Sequence, residues 1–100
     1  MKKFIANYKE LRTDENISLM EHISDIQIKN KETILEYLKG GTFNGVRCSS
    51  VYDYVSDEPI ISEGTTLFTD GEYYWDSEEI YHFEKYNMEL NKEFLKKFEE

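Results

Sequence analysis

The sequence predicts a single α+β domain: a small antiparallel sheet over about residues 42–75, an N-terminal helix before it, and two C-terminal helices packed on the same face. Three observations predict it. Apolar residues recur at helical spacing over residues 31–39 and stop at a glycine pair. From Thr42 the pattern turns to β-branched and aromatic residues. At Asp76 a capping signal reopens helical spacing, which runs to the C-terminus. Helix, then strands, then helices favours segregated layers over βαβ alternation. A chain of 100 residues supports one core, and 39% hydrophobic with 15% aromatic residues supplies the material for it.

Residues 1–30 carry the weakest pattern. Phe4, Ile5, Tyr8 and Leu11 fall at helical spacing, Thr13-Asp14-Glu15-Asn16 reads as a loop, and Ile17, Leu19, Met20 and Ile23 suggest another helical turn. Ile26 and Ile28 alternate as a brief extended segment. Asn30 is then predicted to cap a helix at Lys31 through its side chain, with Ile34, Leu35 and Leu38 on its apolar face. Gly40-Gly41 ends that helix, glycine taking the left-handed C-terminal conformation at little cost.

Phe43, Val46, Cys48, Val51, Tyr52, Tyr54 and Val55 favour extended structure, with Gly45 marking a bulge or a close backbone approach. Ser56-Asp57-Glu58-Pro59 reads as a turn, and Ile60-Ile61 and Thr65–Thr69 as the next strand or strands. Asp70-Gly71 reads as a hairpin turn with both central positions open to positive φ, returning through Glu72–Trp75. Alternation puts Tyr73 and Trp75 on one face, Trp75 anchoring sheet to helix, and Tyr74 on the other. Asp76 and Glu79 have capping-box spacing for a helix carrying Ile80 and Phe83. Asn87 is its stop, and Leu90-Asn91 opens a last helix with Phe94, Leu95 and Phe98 as its stripe.

Charge narrows the function. The net value is −9, and between Arg47 and Lys85 stand ten carboxylates and no Lys or Arg. Such a segment repels nucleic acid and anionic membranes and attracts cationic partners, although an acid excess also serves solubility alone. No apolar run is long enough for a membrane helix, and Met1-Lys2-Lys3 is followed by too short an apolar run for a secretory signal. With the single cysteine Cys48, a reducing cytoplasm is the expected location.

Residues able to carry chemistry are present but not in chemical patterns. His22 and His82 match no zinc motif, and His82 reads as a partly exposed helix residue at helical spacing from Glu78 and Tyr86. Cys48 reads as a small buried hydrophobe, and Ser49-Ser50 lacks a nucleophile elbow. Asp53, Asp57 and Glu58 do not match an EF-hand loop, and no glycine-rich loop opens a helix to cradle phosphate. The expectation is therefore no catalytic residue, no metal and no cofactor. Tyr52 and Tyr54 share one strand face while Asp53 points the other way with Val51 and Val55, and aromatics interleaved with acids suit an interface centre and rim.

The runs Thr69–Trp75, Ile80-Tyr81, Glu84–Asn87, Leu90 and Glu93–Leu95, with Ile34–Gly41 before them, resemble a family of small bacterial proteins. These are found beside polymorphic or contact-dependent toxins, are mostly uncharacterised, and are regarded as immunity proteins. The resemblance covers about residues 30–98. It departs where Asn91 stands in place of the family's frequent proline after Leu90, and in residues 49–63. It implies a non-catalytic protein that neutralises a toxin, and it assigns no binding site. Together with the charge it gives one expectation: a continuous negative face covers a cationic toxin surface, with Tyr52, Asp53, Tyr54, Asp57, Glu58 and Glu63 in contact. The alternatives are a nucleic-acid mimic that blocks a DNA-binding protein, a small enzyme in which a histidine or a carboxylate pair converges, and a self-associating structural protein.

Overall fold

Local signals and long-range pairing divide the work of building this chain. The computed structural model describes residues 3–11, 15–26, 28–48, 50–60 and 64–98. Strand β1 is Lys3–Phe4, helix α1 Lys31–Lys39, and strands β2 Thr42–Arg47, β3 Tyr52–Asp53, β4 Glu58–Pro59, β5 Thr65–Thr69 and β6 Tyr73–Asp76 follow. Helices α2 (Ser77–Tyr86) and α3 (Lys92–Leu95) complete the order, with short 3-10 turns at Leu19–Glu21 and Lys96–Phe98. The main sheet runs β1-β6-β5-β2, and β3 pairs only with β4. This is the α+β architecture that the sequence predicts. The sheet, however, is mixed: β5 is antiparallel to β2 and β6, while β1 adds to β6 in parallel.

The core lies on one sheet face. Tyr73 and Trp75 point into it, against Ile34 and Leu38 of α1, Ile80 and Phe83 of α2, and Phe94 of α3. Trp75 Nε1 donates to the Leu38 carbonyl at 2.9 Å, which ties sheet to helix as expected. Gly41 is required beside that ring, since a Cβ there would lie 2.5 Å from Trp75 Cζ2. Leu19, Met88 and Leu90 close the core, each at most 2% exposed.

Several local expectations give way to tertiary contacts. Residues 3–11 form no helix. Lys3 and Phe4 align with Tyr73 and Tyr74, Asn91 N donates to the Ile5 carbonyl at 2.7 Å, and Asn91 Nδ2 donates to the Phe4 carbonyl at 2.9 Å. Four apolar residues at helical spacing do not compete with a sheet edge and a buried Ile5-Ala6 pair. Ile26 is 79% exposed in a bend, not in a strand. Asn30 stands in the left-handed region (φ 63°) without a side-chain cap bond, its amide donating instead to the Phe98 carbonyl at 3.3 Å. Gly40 ends α1 at φ −91°, without the left-handed step.

The β5–β6 hairpin also turns one residue later than Asp70-Gly71 predicts. Thr69 pairs with Tyr74 and Asp70 N donates to the Tyr73 carbonyl, so Gly71-Glu72 is the central pair and only Gly71 has positive φ. The Asp70 carboxylate moves the turn, accepting from Glu72 N at 2.9 Å and Tyr73 N at 2.6 Å. Glu58-Pro59, expected in a turn, is the short strand β4. Ile60 lies outside any strand, and Ile61 lies outside the described residues. The bulge at Gly45 (φ 130°), the Asp76 cap on Glu79 N (2.9 Å) and the left-handed stop at Asn87 (φ 55°) match expectation.

Candidate functional site

The expected contact residues sit on the β3–β4 hairpin, which docks on α2. Asp53 is its fastener. Its side chain has no solvent exposure. One carboxylate oxygen accepts from Val55 N and Ser56 N, each at 2.9 Å, and the other from the hydroxyls of Tyr81 (2.6 Å) and Tyr86 (2.7 Å). Lys85 Nζ stands 3.8 Å away and lies over both tyrosine rings. Burial alone would raise the Asp53 pKa. The hydrogen bonds outweigh it and hold the carboxyl well below its ordinary value of 3.8. Asp53 therefore cannot touch a partner. Alternation turns Tyr52 and Tyr54 away from Asp53, and Tyr54 stays half-buried against α2.

A second set of bonds holds the neighbouring residues. His82 is fully buried and stacks on Tyr54 at 5.5 Å. Its Nε2 accepts from Tyr54 N at 3.1 Å and its Nδ1 lies 2.7 Å from the Glu78 carbonyl. The first partner can only donate and the second can only accept, so the neutral ring carries its proton on Nδ1. Glu78, itself 6% exposed, accepts from Tyr52 N (2.8 Å) and the Tyr54 hydroxyl (3.2 Å). Burial first, and then the Glu78 charge, push the Tyr54 hydroxyl up to about 12. His82 is thus a buried latch with both nitrogens occupied, not the partly exposed residue that its spacing suggests. Cys48, expected in the interior, is exposed.

Tyr52 and Tyr54 lie side by side, ring centroids 5.0 Å apart, and with Arg47, Ser50 and Glu78 they line an open hollow of roughly 420 Å³. Asp57 and Glu58 stand exposed at the hairpin tip, Asp57 with φ 60° and accepting from the Tyr52 hydroxyl. No lysine or arginine among the described residues pairs with either. Glu63 lies outside the described residues. The structure thus brings Tyr52, Tyr54, Asp57 and Glu58 together and withdraws Asp53. Sequence reasoning missed Tyr81 and Tyr86 as the hydroxyl donors to Asp53. The available signal was the spacing of Glu78, His82 and Tyr86 along one face of α2.

The continuous negative face does not form among the described residues. Arg47 pairs with Asp76 at 2.7 Å, Lys97 with Glu72 at 2.7 Å and Asp70 at 3.9 Å, Lys3 with Glu72 at 3.5 Å, and Lys39 with Glu84 at 3.2 Å. Glu78 and Glu79 are buried. Basic residues distant in sequence have come to the acids in space, so only Asp57 and Glu58 are left exposed and without a cation in the described part of that stretch. Among the described residues no three His, Cys, Asp or Glu converge as metal ligands, and no helix is long and apolar enough to cross a membrane.

Fold and site define a small α+β domain presenting a fastened two-tyrosine, two-carboxylate hairpin. No family model, curated protein or solved structure matches the chain.

Proposed function

We propose that this protein is a non-catalytic binding protein of the immunity type, which neutralises a cognate bacterial toxin by seating the hairpin tip on a cationic surface. The observation that carries the reading is the contrast within the acidic stretch between Arg47 and Lys85. Seven described carboxylates there are salt-bridged or buried, whereas Asp57 and Glu58 project into solvent beside the tyrosine pair. The two rings supply rigid apolar area, and the carboxylates supply charge that steers association. Pinning by Asp53, Glu78 and His82 lowers the ordering cost of binding, because the hairpin is held before the partner arrives. Internal pairing of the other acids disfavours a nucleic-acid mimic, which needs a spaced row of free negative charge. The cytoplasm, where such a toxin would act, is the proposed location.

The test is binding to the product of an adjacent toxin-like gene, with protection of cells that express it. Asp57→Asn, which suits the φ 60° backbone, with Glu58→Lys is expected to weaken binding at least tenfold at low salt and to abolish protection. Tight binding that ignores both the charge change and the salt concentration would overturn the reading.

A further inference from the structure

Strand β2 forms one edge of the main sheet, and among the described residues no strand pairs with its outer side. Natural proteins blunt such edges with charge, proline or a bulge, and β2 has a bulge between Phe43 and Gly45 but little charge. Here the segment carries only Arg47, at its end, and two large apolar side chains stand in solvent: Phe43 is 65% exposed and Val46 64%. The bulge matters to their placement. In a regular strand, residues 43 and 46 would face opposite ways. Because the register jumps at Phe43/Gly45, Phe43 aligns with Phe68 and Val46 with Thr66, and those two residues of β5 share a face. Both exposed side chains therefore stand on the helix-bearing face, beyond the reach of the helices.

Charge says what kind of surface can approach. Residues 37–52 form the longest stretch of this chain without Asp or Glu, in a molecule with net charge −9. Lys39 and Arg47 within it are already paired to Glu84 and Asp76. A second copy carries the same net charge of −9, yet finds no carboxylate on this strand. The segment is also self-complementary. Antiparallel pairing of Thr42–Arg47 with itself about a dyad between Asn44 and Gly45 places Phe43 opposite Val46 of the other copy, twice, and Thr42 opposite Arg47. Two isolated apolar residues per copy become one four-residue cluster on one face of a continuous eight-stranded sheet.

We infer that β2 is a homodimerisation edge, at which two copies pair antiparallel in the register that sets Phe43 against Val46. This surface is separate from the hairpin tip, and salt acts on the two in opposite directions. Screening relieves repulsion between acidic copies and strengthens the dimer, whereas it weakens docking on a cationic partner.

Sedimentation equilibrium over a concentration and salt series tests it. The expected result is reversible association towards twice 12.0 kDa, strengthening with salt. F43K/V46K is expected to weaken association at least tenfold while leaving the circular dichroism spectrum and urea midpoint unchanged. Register is tested by oxidative crosslinking in the C48S background: F43C mixed with V46C should form a disulfide dimer, and neither variant alone should do so efficiently. A monomer at every concentration, a dimer indifferent to F43K/V46K, or equal crosslinking by the single variants would each overturn the inference.

Discussion

Replacing Asp53 by Ala is expected to remove a large part of the stability of this domain. The carboxylate is fully buried and accepts from two backbone amides and two tyrosine hydroxyls. Tyr81 and Tyr86 are only half-buried, so water can satisfy their hydroxyls once the carboxylate has gone. The amides of Val55 and Ser56 lose a charged acceptor worth about 1.5–3 kcal/mol per bond, of which water recovers part, because Val55 is half-buried and Ser56 exposed. The expected loss is therefore about 2–5 kcal/mol, against a total of roughly 5–15 kcal/mol for a domain of ordinary stability. Asp53→Asn is milder. Its amide oxygen still serves the backbone, and its NH2 group faces hydroxyls that can turn to accept, so about 1–2 kcal/mol is expected.

Urea titration read by circular dichroism measures both, and acid titration supplies the sharper check. The folded carboxyl lies below its ordinary value of 3.8, so above that value the unfolded state binds no more protons than the folded one. As pH falls below it, the unfolded state takes up a proton that the folded state refuses, and stability drops by up to about 1.4 kcal/mol per pH unit. Asp53→Asn removes this group's share of the slope. Glu10 and Asp70, also held low, keep theirs. A variant with the wild-type urea midpoint and an unchanged acid slope would refute the assignment of Asp53 as the fastener of the hairpin.

Three further outcomes follow from the same geometry. His82→Phe keeps the stack on Tyr54 but strands its amide, so hydrogen exchange at Tyr54 N should accelerate and stability should fall by about 1–3 kcal/mol. Tyr8, Tyr37 and Tyr54, each pushed up to about 12 chiefly by burial, should ionise late in an ultraviolet titration. Their share of stability is full below pH 10, the ordinary value, and should be lost as pH rises towards 12. Gly41→Ala should cost about 1–3 kcal/mol by overpacking, because its Cβ would meet Trp75 at 2.5 Å and Phe68 at 3.1 Å; a urea midpoint within error of wild type would discount that contact.

Elements set by local chemistry were legible in the sequence, and those set by distant partners were not. Helix α1, the Asp76 cap, the Asn87 stop and the inward Tyr73–Trp75 pair each follow from a few neighbouring residues. The strand at Lys3-Phe4 depends on β6 some seventy residues away, and no local pattern encodes a parallel edge. The candidate site divides in the same way. Alternation correctly separated Tyr52 and Tyr54 from Asp53, but the burial of Asp53 depends on Tyr81 and Tyr86, which only folding brings to it.

The same division explains why ten acids in one stretch do not make an acidic face. Three of the aspartates start turns or helices: Asp53 accepts from residues two and three ahead, Asp70 does the same, and Asp76 accepts from the residue three ahead. In each case the other oxygen is taken by a tyrosine hydroxyl, a cation or both: Tyr81, Tyr86 and Lys85 for Asp53, Tyr37 and Lys97 for Asp70, Arg47 for Asp76. One oxygen shapes the backbone locally and the second anchors that backbone to a distant element. The composition that looked like a binding surface is thus largely the means by which a small chain closes its turns and ties them down. Neutralising these aspartates would damage the fold before it reported on any interface. Asp57 and Glu58 carry no such double duty: Glu58 can be reversed, and at Asp57, which stands at φ 60° and accepts from the Tyr52 hydroxyl, Asn removes the charge while suiting the backbone, so the result reads as recognition.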